Sequence, residues 1–183
     1  MFRTILPLLW LALTLEIPMT SPTQAADTLV VGAQAPDFTL PYATKDSIAA
    51  EPLTLSHELG HGPIVLAFYP ADWSGGCTVE VCTFRDHFAE LSKLGVRVWG
   101  ISGDYKWSHY EWARHHNLPF ELLSDHDHAV ARLYNSYDPA HLLNRRTVYV
   151  VGSDGRIAYM NDNYRAREPQ DFEALKTALA GIR

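Results

Sequence analysis

The chain reads as an α/β protein with a central mixed sheet flanked by helices, and three observations predict it. Apolar runs of strand length at 64–69, 96–102 and 120–123 alternate with stretches whose apolar residues step by three and four. Two later strand-like runs, 146–151 and 156–160, are joined by Gly152-Ser153-Asp154-Gly155, which reads as a hairpin turn and makes the sheet mixed. The 183 residues, 47% hydrophobic and 20% charged, suffice for one domain with a sizeable core.

Taken in order, the N-terminus comes first. Arg3 precedes an apolar run over residues 5–15, followed by Glu16 and a small polar stretch ending Thr23-Gln24-Ala25, as in a cleavable export signal. That run is too short to span a bilayer, which needs about 20 residues. The reading is therefore a signal over 1–25 and a single domain over 26–183. A hairpin-like region is expected at about 29–41 and a buried strand at 64–69. Next come a helix from Cys77 to about Leu94, a strand at 96–102 and a helix over 107–116. The short strand at 120–123, a helix near 129–134, the hairpin and a C-terminal helix over 169–182 complete the order. No internal repeat, linker or low-complexity segment interrupts it.

Residues 70–77 read PADWSGGC, and only two cysteines occur, Cys77 and Cys82. Pro70 and Gly75-Gly76 mark an open loop after the strand. From Cys77 the apolar residues recur as Val81, Phe84, Phe88 and Leu91, so one face of a helix opens at or just before that cysteine. A thiol in the first helical turn meets unpaired N–H groups and the positive end of the helix dipole, which favour the nucleophilic thiolate. On an intact helix five residues correspond to a rise of about 7.5 Å and a rotation of about 140°, too far for a disulfide. A Cys77–Cys82 bridge therefore requires the first turn to melt, which suits a catalytic cycle better than a permanent staple.

The pattern Pro70-x-x-x-Ser74-x-x-Cys77-x-x-Glu80 resembles the peroxidatic motif of the peroxiredoxins (AhpC/TSA superfamily). Cys82 falls where the PrxQ, or bacterioferritin comigratory protein, branch carries its resolving cysteine. Residues 32–40 (GAQAPDFTL) are similar to the opening segment of that family, Leu122-Leu123-Ser124-Asp125 to its mid-chain strand end, and residues 146–151 (RTVYVV) to the strand carrying its arginine. The resemblance spans essentially 29–183 and implies a thioredoxin-like fold. It also implies that Cys77 attacks a hydroperoxide to give a sulfenic acid, and that Cys82 condenses with it to give a disulfide for an external dithiol.

In the same reading Arg146 holds thiol and peroxide, Ser74 hydrogen-bonds at the peroxide, Pro70 shields the pocket and Glu80 orients the arginine. Trp73 and Tyr69, beside the loop, are the candidate substrate contacts. Strand register selects Arg146 over its neighbour Arg145, because adjacent strand residues point to opposite faces. Ser74 stands where most relatives have Thr, and Gly75 where the branch usually has Pro. These departures bear on rate more than on reaction.

The implied partners are a hydroperoxide and a thioredoxin-like dithiol reductant, with no cofactor and no metal. Two cysteines on one chain suggest a monomer, and the signal suggests export, to the periplasm in a Gram-negative source, with no stable membrane insertion after cleavage. The net charge of −6 without a basic stripe lacks the footprint of a nucleic-acid binder.

Rival readings are distinguishable. His57-Glu58-Leu59-Gly60-His61 satisfies the zinc-protease string HExxH, but Gly60 lies inside it and Gly62-Pro63 stops it at once, whereas the chemistry needs a helix of several turns. Thiol–disulfide oxidoreductases use Cys-x-x-Cys, not the spacing seen here. A redox sensor or holdase-type binding protein on the same fold would oxidise once rather than turn over. His115-His116 and His126-x-His128 read as solvated helix ends and loop residues, and Trp107 and Trp112 as rim or core.

Overall fold

The computed structural model describes residues 29–182, so the expected export signal over 1–25 lies outside the described residues. In chain order the elements are β1 (Thr39–Leu40), β2 (Tyr42–Ala43), β3 (Leu53–Thr54), α1 (Leu55–Glu58), β4 (Ile64–Phe68), α2 (Gly75–Asp86), α3 (Phe88–Lys93) and β5 (Arg97–Ser102). They continue with α4 (Lys106–His116), β6 (Glu121–Ser124), α5 (Ala129–Leu133), β7 (Tyr137–Asp138), β8 (Leu143–Asn144), β9 (Thr147–Val151), β10 (Ile157–Asn161) and α6 (Pro169–Gly181).

Six strands form one sheet in the order β10-β9-β4-β5-β6-β2. β4, β5 and β6 run parallel, joined by helical crossovers, while β9 pairs antiparallel with β4 and β10 with β9. This is the mixed α/β sheet the sequence predicts. Every residue of β4 and β9 is buried, as a strand covered on both faces requires. Alternation along β4 divides the core. Val65 and Ala67 face Val81, Phe84, Trp112 and Leu175 on one side, and Ile64, Leu66 and Phe68 face Phe38, Leu55, Tyr134 and Tyr149 on the other. No helix among the described residues is long and apolar enough to cross a membrane.

Three expectations are corrected. The region at 29–41 is not a hairpin: Gln34 bridges Arg156 across the chain, and β1 pairs with β3. Its backbone instead pairs with a distant segment, Gly32 donating to the Ile157 carbonyl and Ala35 to the Gly155 carbonyl. The helix expected over 77–94 begins earlier, at Gly75, and is two helices. His87, at φ −100° and ψ 6°, leaves helical geometry between α2 and α3 while Phe84 and Leu91 stay in the core. The apolar stepping continues across this break, so periodicity alone does not reveal it. Finally, β2, β3, β7 and β8, each two residues long, were not anticipated. Runs that short carry no period.

Candidate active site

The central strand β4 ends at Phe68, and the loop after it delivers the chain to the N-terminus of α2. Ser74 caps that helix. Its backbone is extended and its Oγ accepts a hydrogen bond from the Cys77 amide at 3.4 Å, while Thr78 closes on the Ser74 carbonyl through both its N–H and its hydroxyl. Cys77 is thereby fixed in the first turn, with no exposed surface. Before the cap, Trp73 adopts a left-handed backbone at φ 60°, a conformation that costs a residue with a Cβ roughly 1–2 kcal/mol.

Arg146 stands immediately before β9, not within it, and reaches across to α2. Its Nη2 donates to Cys77 Sγ at 3.3 Å and its Nη1 donates to Glu80 Oε2. Glu80, one helical turn beyond Cys77, is wholly buried. Burial pushes its carboxyl up to about 7, against the downward pull of the guanidinium. Burial works against the charge on Arg146, but the neighbouring Glu80 outweighs it and the Arg146 pKa is raised, so the arginine stays charged. Gly76 lies beside this fork, where a Cβ would approach Arg146 Nη2 to 3.3 Å. Outside it, a cavity of about 310 Å³ is lined by Pro70, His141, Asn144, Arg145, Arg146 and Asp162.

The structure thus brings together Pro70, Ser74, Cys77, Glu80 and Arg146. Arg145 also lines the cavity, but its guanidinium donates to the Asn135 carbonyl rather than to Cys77 or Glu80. Both cysteines are free, and the Cys82 thiol is half-buried on α2. Trp73 is 54% exposed, its indole N–H donating to Ser108 Oγ at 3.2 Å and its ring lying against His115 and His116. Tyr69 is not brought to the cavity. It is completely buried and its hydroxyl donates to Asp72 at 2.9 Å, because it extends β4 into the helix-covered side of the sheet. Of the other tryptophans, Trp107 is exposed and Trp112 fully buried.

A second group of side chains escaped the sequence reading. Asp72 accepts from Tyr69, from Ser108 Oγ at 2.7 Å and from His109 Nδ1 at 2.9 Å, and its own amide donates to Asp104 at 2.8 Å. The one available signal was His109 itself, which shares the buried stripe of α4 with Trp112 and Ala113 and is a polar residue at an apolar position.

The HExxH string is not a metal-binding helix. α1 ends at Glu58, Gly60 has φ 87°, both histidines are exposed, and Glu58 pairs with Arg97. Among the described residues no three His, Cys, Asp or Glu side chains converge as a metal site would require.

The chain resembles known proteins over most of its length. Residues 31–160 match the AhpC/TSA family. The chloroplastic peroxiredoxin Q of Oryza sativa subsp. japonica is 39% identical over 148 residues, covering 79% of this chain; the chain spans 64% of that relative's length. A bcp peroxiredoxin of Coxiella burnetii is 38% identical over 134 residues, covering 70% of this chain and 85% of its own. Among solved structures, the peroxidoxin BcpB of Mycobacterium tuberculosis superposes with a TM-score of 0.71 at 30% identity, covering 85% of this chain and 99% of its own.

Proposed function

Because this chain belongs to the AhpC/TSA family, with relatives in the peroxiredoxin Q and bcp branch, we propose that it is a thiol-dependent peroxidase using Cys77 as nucleophile. The observation that carries this reading is the Arg146 fork, which holds Glu80 with one nitrogen and the Cys77 sulfur with the other. In the reaction the Cys77 thiolate attacks the terminal oxygen of a hydroperoxide and the O–O bond breaks. The leaving oxygen takes up a proton and departs as water or an alcohol, and the sulfur becomes a sulfenic acid. Arg146 supplies a fixed positive charge and a directed donor where negative charge develops on that oxygen. Ser74, the cap of the same turn, and Pro70, on the cavity wall, bound the space in which the peroxide sits.

Cys82 serves as the resolving thiol in the same chain, an atypical two-cysteine cycle, and a thioredoxin-like dithiol returns the disulfide to two thiols. The free, half-buried state of Cys82 on the same helix supports that assignment. Residues 1–25 act as an export signal and the domain over 26–183 works as a monomer outside the cytoplasm, in the periplasm of a Gram-negative source, where its reductant must be delivered locally.

Stopped-flow tryptophan fluorescence after mixing the reduced protein with one equivalent of hydrogen peroxide tests the cycle. A fast phase is expected, absent in Cys77→Ser, with a trappable sulfenic acid accumulating in Cys82→Ser. Reaction no faster than that of a free thiol would sink the proposal.

A further inference from the structure

Cys82 does not sit alone on α2. Its sulfur lies 3.9 Å from Nδ1 of His116, the last residue of α4, thirty-four positions away in sequence. That histidine is held from several sides. Arg85, one turn beyond Cys82, donates from Nη1 to the His116 carbonyl at 2.9 Å, which ties the end of α4 to α2. Its ring packs edge-on against Trp112 with centroids 5.8 Å apart, and beside His115 and Trp73. The cysteine and the imidazole are therefore presented to each other by two helices pinned together, and neither is needed for the attack on peroxide.

We propose that His116 is the catalytic base of the resolving half-reaction, taking the thiol proton of Cys82 as that sulfur attacks the sulfenic sulfur of Cys77. The inference rests on the peroxidase reading and deepens it. The step balances within the protein. The Cys82 S–H bond breaks and its proton passes to the imidazole; an S–S bond forms and the S–O bond of the sulfenic acid breaks. The oxygen leaves as hydroxide, recovers the proton from the imidazolium and departs as water. The Cys82 sulfur is oxidised and the Cys77 sulfur reduced, so no outside oxidant or reductant enters.

The surroundings set the protonation states of both groups. Burial raises the Cys82 thiol above its ordinary pKa, Arg85 opposing and Asp86 reinforcing the shift, so it is protonated near neutrality and a weak nucleophile without a base. Burial, His115 and Arg85 all lower His116, which keeps its imidazole neutral near pH 7 but makes it a weaker base, so its role rests on its position beside the Cys82 sulfur.

The test separates the two halves of the cycle by stopped flow, using the fluorescence of Trp73 and Trp112 beside His116. In His116→Gln the first phase, sulfenic acid formation, is expected to keep the parental rate. The second phase, disulfide formation, is expected to slow about tenfold or more at pH 7 and to regain speed only as pH rises toward the ionisation of the thiol itself. In His116→Gly, added imidazole is expected to restore the second phase. His115→Gln, which removes a neighbouring ring and one of the groups that lower His116, is expected to leave the first phase alone and not to slow the second. An unchanged second phase in His116→Gln, equal slowing in His115→Gln, or loss of the first phase in His116→Gln would overturn the assignment. Absence of the first phase in the parent protein would instead overturn the peroxidase reading.

Discussion

His109 Nδ1 lies 2.9 Å from Asp72 Oδ2, and both side chains are wholly shielded from solvent. The second ring nitrogen of His109 faces the Leu123 carbonyl at 3.1 Å, a group that only accepts, so Nε2 must carry a hydrogen. The contact between Nδ1 and Asp72 Oδ2 then requires one further proton between them. Through this pair the loop carrying Trp73 and Ser74 is fastened to α4 and, by way of Leu123, to β6.

Removing one member takes a buried hydrogen-bond partner from the other. His109→Ala is expected to cost about 1–3 kcal/mol in urea unfolding, the range for leaving a buried polar group short of a partner. The double variant with Asp72→Asn is expected to lose clearly less than the sum of the two single changes, because the partners are in contact. A single-variant loss below about 1 kcal/mol would show that the pair does not fasten the loop.

Arg146 and Arg145 are adjacent yet engage different partners, one Cys77 and Glu80, the other the Asn135 carbonyl. Arg146→Lys keeps a charge but loses the planar fork that engages sulfur and carboxylate together. The expected outcome is a fall of about 100-fold in the second-order rate with hydrogen peroxide, the scale seen on losing one preorganised donor to a developing oxyanion. Arg145→Lys is expected to stay within about twofold of the parent. Equal effects of the two changes would remove the special role of Arg146.

Glu80 gives the protein a pH dependence of definite sign. Its carboxyl is raised in the folded state to about 7, while the unfolded chain titrates at the ordinary value of 4.5. Between those values the native state binds more protons than the unfolded one, so this group's contribution is fully present below pH 4.5. It is lost as pH rises through about 7. Equilibrium unfolding across that window is expected to show a component of at most about 3 kcal/mol that declines with rising pH. In Glu80→Gln this component should vanish. A Glu80→Gln profile parallel to the parent's would contradict it.

Much of the molecule was legible before folding because its determinants are local. The apolar run ending in Phe68, the open loop at Pro70 and Gly75-Gly76, and the three-and-four stepping from Cys77 onward fix a strand, a turn and a helix whatever the rest of the chain does. They put a thiol in a first helical turn, and the hairpin through Gly152 and Gly155 is equally local. The spacing of Cys77 and Cys82 already excludes a bridge on an intact helix. By contrast, the break at His87 and the two-residue strands were invisible, since a period cannot be read from two residues or from a stripe that resumes in phase.

Only the tertiary structure decided which distant side chains meet. Tyr69 looked like a residue at the mouth of the site, but the side of the sheet it faces is covered by α2 and α4, and it became a buried donor to Asp72. His109 and Asp72 are thirty-seven positions apart, and Cys82 and His116 thirty-four. Such pairs depend on how α4 docks against α2 and the sheet, a geometry set by the summed burial of Val81, Phe84, Trp112 and Ala113 rather than by any one of these polar residues. The sequence by itself determined the reacting sulfur and its helix; the docking of the helices decided what surrounds it.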